Sequence, residues 1–167
     1  MPRNSTIRSG VKYSPQYVEG RLRFSPYIKD AWVLAGSEGL YASAVIVIDY
    51  NNVGKWAGEK RVPYSNFAEL AQRSEVYELV KQDIQRVNST LSPGSRVKKY
   101  LILHREFDPD EGELTRNRRL RRAVLEKRYD ELIEAIYRDR TAVGLSDAGT
   151  ATIKTTLRIE SVEGTTV

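Results

Sequence analysis

At 167 residues the chain is long enough for one domain with a real core and short for a complete enzyme that binds three substrates. Its 40 % hydrophobic and 29 % charged content belongs to a soluble globular protein, and a net charge of +5 draws anions. Cys is absent and His104 is the only histidine, which excludes a disulfide framework, a thiolate metal centre and a histidine-based one, so no metal site is expected.

The first residues, Met1-Pro2-Arg3-Asn4-Ser5, lead into no apolar leader, and the longest strongly apolar run, 44–48, is far too short to span a bilayer. The expectation is an untargeted, cytoplasmic protein. Ser14-Pro15 has the form of an N-cap followed by proline at the first helical position, with Tyr17, Val18, Arg21 and Leu22 continuing at helical spacing. That helix ends before Ser25-Pro26. Two apolar runs, 31–35 and 41–48, flank Gly36-Ser37-Glu38-Gly39 and read as a hairpin of buried strands.

Residues 49–61 read as a short helix containing Trp56; Pro63 then breaks the chain, and Ser65 is expected to cap another through Phe67, Leu70 and Ala71. From Ser74 a longer helix carries Val76, Leu79, Val80, Ile84, Val87 and Leu91 on one face, stopped by Pro93-Gly94. Residues 97–103 read as a strand, and Asp108-Pro109-Asp110-Glu111-Gly112 as a turn. A second long helix is expected from about Arg118, with Leu120, Val124, Leu125, Leu132, Ile133 and Ile136 as its stripe. The cations Arg116, Arg118, Arg119, Arg121, Arg122, Lys127 and Arg128 crowd this stretch. Cations in the first turns of a helix oppose its macrodipole, which points to a partner anion. After Gly144 the residues turn small and polar, and Ile153, Thr155, Leu157 and Ile159 then alternate with polar residues as a half-buried final strand.

Strands mixed irregularly with helices predict an α+β fold: a small antiparallel sheet from the strands near Trp32, Val45 and Leu101, with flanking helices. In order along the chain, Ser9-Gly10-Val11-Lys12-Tyr13-Ser14-Pro15, Ser25-Pro26-Tyr27-Ile28-Lys29-Asp30-Ala31, Val45-Ile46-Val47-Ile48-Asp49 with Gly54-Lys55-Trp56, and Gly112-Glu113-Leu114-Thr115 running into a basic stretch resemble the C-terminal domain of AMP-forming long-chain acyl-CoA synthetases. The resemblance covers residues 1–137 as the small, mobile domain and leaves 138–167 as a tail with a final strand.

What the resemblance implies is one part of a fatty acid–CoA ligase of the adenylate-forming superfamily. ATP, CoA and Mg²⁺ serve the complete enzyme, and none is expected to bind tightly to this chain alone. Its partner is a large N-terminal domain holding the acyl pocket, the nucleotide motif and the metal-associated residues. Ser9, Gly10 and Lys12 stand in the loop that meets CoA, Asn4 and Ser5 at the hinge, and Arg119 at the place of the catalytic lysine, after Leu114-Thr115 and three further residues. Two departures follow: the hinge has no Asp, and arginine replaces lysine.

From the residues alone, Arg119 reads first as one more solvated charge, and Ser9, Gly10 and Lys12 read equally as a turn with a surface lysine. His104 has no acidic or thiol neighbour in sequence to make it catalytic, and the aromatics read as core. The alternative is a stand-alone, non-catalytic basic module that binds a protein partner or nucleic acid. A membrane surface ranks behind both, because the basic segment's stripe lacks Trp and Phe.

Overall fold

Residues 42–48 lie at the centre of the molecule, seven buried side chains in a row, as in a strand covered on both faces. The computed structural model describes residues 5–6, 12–35, 41–146 and 154–162. Strands β1 (Ser5–Thr6) and β2 (Lys12–Tyr13) form a two-stranded ribbon, followed by α1 (Pro15–Leu22), β3 (Ile28–Ala35) and β4 (Ala42–Ile48). Helices α2 (Tyr50–Glu59), α3 (Phe67–Ala71) and α4 (Ser74–Asn88) lead to β5 (Val97–Ile102). The chain closes with α5 (Arg122–Arg128), α6 (Asp130–Tyr137), β6 (Ala142–Ser146) and β7 (Lys154–Ser161).

Local chemistry sets the helix starts. The Ser14 hydroxyl accepts from the Tyr17 amide at 3.4 Å and Pro15 opens α1. Asp49 caps α2 by accepting from the Asn52 amide at 2.9 Å. The cap of α3 is Asn66, accepting from the Glu69 amide at 2.8 Å, and not Ser65, whose hydroxyl instead donates to the Glu69 carboxylate at 2.5 Å.

The α+β expectation holds, with a larger and mixed sheet of order β3-β4-β5-β7-β6. Three of its pairings are antiparallel, but β4 and β5 run parallel. The crossover through α2, α3 and α4 makes this possible, since a parallel return needs a connection of a dozen or more residues. Even-numbered β4 residues, Ala44, Ile46 and Ile48, meet Val18, Leu22, Val53, Val76, Val80 and Ile84 of α1, α2 and α4. Odd-numbered Val45 and Val47 join Trp32, Leu101 and Leu103 against Leu125, Leu132 and Ile136 of α5 and α6. Period-two alternation thus divides one apolar strand between two cores.

The second long helix is corrected in two ways. It begins at Arg122 rather than near Arg118, because residues 114 and 120 bridge as a hairpin and Arg118 has φ +59°, which no helix accommodates. It also breaks at Tyr129, φ −113°, into two helices, and this buried ring sits 6.2 Å from Trp32 and 6.4 Å from Phe107, centroid to centroid. The final strand follows its period: Leu157 and Ile159 are buried while Thr156 and Arg158 are exposed. Strand β6 had no expectation, and it forms the outer edge of the sheet beside β7.

Because β7 pairs with β5 through Leu101 and Ile159, the tail shares the main sheet. Leu157→Ala should therefore cost about 2–5 kcal/mol in urea unfolding, as other fully buried Leu→Ala changes do. Thr156→Ala, one residue away and exposed, should stay within about 0.5 kcal/mol. Equal, small losses at both positions would show the tail detached from the core.

Candidate functional site

The segment that leaves β5 is organised around Glu113, which is fully buried. Its carboxylate accepts from the Asp108 amide at 2.7 Å and from the Arg105 guanidinium at 3.1 Å, with the Arg128 Nε at 3.4 Å. The preceding turn bonds the Glu111 amide to the Asp108 carbonyl at 3.2 Å, and Gly112 supplies φ +77°. Beyond Glu113 the chain folds back on itself. The Thr115 amide donates to the Arg119 carbonyl at 2.8 Å, the Arg118 amide to the Thr115 carbonyl at 3.0 Å, and the Arg119 amide to the Thr115 hydroxyl at 3.1 Å. Closing the base, the Arg121 amide reaches the Glu113 carbonyl at 2.9 Å.

Two further carboxylates fasten this hairpin to the body of the fold. Arg118 Nη2 lies 3.0 Å from Oδ2 of Asp30, a buried residue of β3. Arg122 pairs with Glu19 of α1, whose other oxygen accepts from the Val33 amide at 2.7 Å. Burial pushes the Glu19 carboxyl above its ordinary value, opposed by Arg122, the Val33 amide and Arg23. Burial likewise raises Asp30, opposed mainly by Arg118, with Arg23 and Lys29 adding smaller pulls.

The basic cluster is therefore not a row of cations on the first turns of one helix. Arg116, Arg118 and Arg119 stand on the hairpin, and the anions that hold Arg118, Arg122 and Arg128 belong to the chain itself. Arg116, Arg119, Arg121 and Lys127 are exposed. Among the described residues, the hydrogen bonds of Arg119 run from its backbone to Thr115, and the residue is exposed.

Of the other site residues read from the sequence, Ser5 and Lys12 lie on the small ribbon, where Ser5 faces Tyr13 and Thr6 faces Lys12. Asn4, Ser9 and Gly10 lie outside the described residues. Trp32 is core, as expected. Among the described residues no group of three or more His, Asp or Glu is placed to hold a metal ion. Glu19 and Asp30 were the residues that sequence reasoning missed. The available signal was a carboxylate beside Val18 and Leu22 on the buried face of α1, and another inside the apolar run of β3.

Residues 4–141 match the family model described as the AMP-binding enzyme C-terminal domain, so β6 and β7 lie beyond the matched residues. The long-chain-fatty-acid–CoA ligase FadD15 of Mycobacterium tuberculosis is 27% identical over 129 residues, which is 77% of this chain and 21% of that protein. Long chain acyl-CoA synthetase 8 of Arabidopsis thaliana is 25% identical over 133 residues, 78% of this chain and 18% of that protein. The chain thus spans about a fifth of the length of these relatives. Among solved structures, the adenylation domain of a carboxylate reductase from Mycobacterium chelonae superposes on 81% of this chain and 19% of its own, with TM-score 0.64 and 22% identity. The A-PCP didomain of the Segniliparus rugosus carboxylic acid reductase, in complex with AMP, gives 0.62 and 18% over 81% of this chain and 17% of its own. Both share the fold.

A carboxyl whose folded pKa is raised binds more proton in the native state than in the unfolded one between about 4.3 and the higher folded value, so its contribution to stability falls as pH rises through that window. Glu19→Gln removes this titration. Urea unfolding at about pH 4 and about pH 7 should show the variant gaining on the native chain at the higher pH. A variant that loses ground instead would mean that Arg122 outweighs burial at this site.

Proposed function

Because the chain belongs to the family of AMP-binding enzyme C-terminal domains, we propose that it is the small domain of a long-chain fatty acid–CoA ligase, serving adenylation and CoA thioester formation with a large N-terminal domain. Domains of this family pack with a large adenylation domain. The long-chain assignment rests on the named relatives. In the ligase reaction a fatty acid carboxylate attacks the α-phosphorus of ATP and releases pyrophosphate, and the CoA thiol then displaces AMP from the acyl-adenylate.

The observation that carries this reading is the placement of Arg119. It lies four residues after Thr115 on a hairpin closed at its base, exposed and, among the described residues, bonded through its backbone. A guanidinium in that position suits a phosphate or carboxylate, since its planar fork donates two parallel hydrogen bonds. It is wider than an ammonium and reaches a single developing charge less well. Arg119 therefore supports adenylation poorly. Lys12, with Ser9 and Gly10, is assigned to CoA on the family resemblance, and a lysine there suits the phosphates of CoA. Mg²⁺ is assigned to the large domain, where the family resemblance places the metal-associated residues.

Two measurements test the proposal. The chain alone, given ATP, palmitate and CoA, should release no AMP, and steady turnover would overturn its role as a partial enzyme. Joined to its large domain, the Arg119→Lys chain should form acyl-adenylate faster, on the order of 10²-fold, while thioester formation from supplied acyl-adenylate changes little. Identical rates for both chains in both half-reactions would make Arg119 a solvated charge. A duplex affinity that falls steeply with salt would instead favour the nucleic-acid module.

A further inference from the structure

Two adjacent arginines on the hairpin differ in their partners. Both are exposed, but the Arg118 guanidinium reaches a buried carboxylate 88 residues away, 3.0 Å from Asp30 Oδ2. Arg118 also holds φ +59°, a conformation that a side chain with a Cβ rarely takes unless its surroundings determine it. Both backbone bonds of Arg119 close on Thr115, so the residue after the strained one has no freedom left in its peptide groups. The left-handed residue, the ion pair and the Thr115 hydroxyl act together on one short loop.

We propose that Arg118 and Asp30 are a positioning pair for Arg119, whose bond across the fold locks the hairpin in the conformation that presents the next side chain outward. Neither residue touches substrate in this account. Glu19 with Arg122 secures the far end of the hairpin, and Asp30 with Arg118 secures its tip. The inference rests on the proposed function for its catalytic consequence, but its structural content does not.

The backbone and the ion pair can be separated by choice of variant. Arg118→Gly accepts φ +59° without strain and removes the guanidinium; Arg118→Lys restores a cation; Asp30→Asn removes the anion. In the chain alone, amide hydrogen exchange at Arg119 should quicken roughly tenfold or more in the Gly and Asn variants and return toward native in the Lys variant. In the chain joined to its large domain and carrying Arg119→Lys, the Gly and Asn variants should slow acyl-adenylate formation by on the order of tenfold to a hundredfold. Thioester formation from supplied acyl-adenylate should stay within about twofold.

Unchanged exchange at Arg119 in both variants would overturn the proposal. So would an equal fall in both half-reactions accompanied by a lower melting temperature, because that pattern is general destabilisation. If the Arg119→Lys enzyme makes no adenylate at all, the proposed function fails, and exchange at Arg119 still decides whether the pair positions the loop.

Discussion

Three carboxylates inside the protein, on Glu19, Asp30 and Glu113, determine where the basic segment goes. A buried carboxylate left without a partner is strongly destabilising, so each must find a cation or give up its charge. All three are answered from one region of sequence: Arg122 for Glu19, Arg118 for Asp30, Arg105 and Arg128 for Glu113. The hairpin is consequently placed by charge, while the helices around it are placed by apolar packing. Charge pairs of this kind add little to stability over an apolar replacement, but they specify which surfaces meet.

The same pairs explain how a loop can be exposed and still well defined. Residues 114–120 bury only Leu114 fully and half-bury Leu120, so hydrophobic burial alone would hold them weakly. Anchors into α1, β3 and α5 compensate, and the sheet behind them is covered on both faces. That arrangement suits a loop that must keep its shape while it stands in solvent. It also changes how a strongly basic composition is read: much of the cluster is internal wiring, and only a part of it faces solvent.

Most of the scaffold was legible because local rules agreed with tertiary ones. The apolar run of β4, the Ser14-Pro15 start of α1, the stripe of α4 and the alternation of Leu157 and Ile159 all appear in the structure. Hydrophobic period could not reveal the true start of α5, because Leu120 and Val124 keep a four-residue spacing although Leu120 still belongs to the bridge with Leu114. Nor could it reveal the break at Tyr129, since Leu125, Leu132 and Ile136 remain on one side of it. Strand β6 is short, with small Ala142 and Gly144 where a strong pattern would need branched residues. The pairs at Asp30 and Glu19 join positions 88 and 103 residues apart, beyond any local signal. Arg119 was found through family resemblance, which physical reading of the residues alone did not supply.

The two margins of the five-stranded sheet are unlike. On the β3 side the Val33 amide is already spent on Glu19, and α1 lies along the strand. On the other side β6 carries no Lys, Glu or Pro within Ala142–Ser146, the residues by which natural edge strands usually discourage further pairing. The two edges are thus unequally guarded against a strand from another molecule, β3 by α1 and Glu19, and β6 by no charge or proline of its own. One charge placed within that five-residue border would therefore oppose strand addition more directly than many placed on the already cationic hairpin.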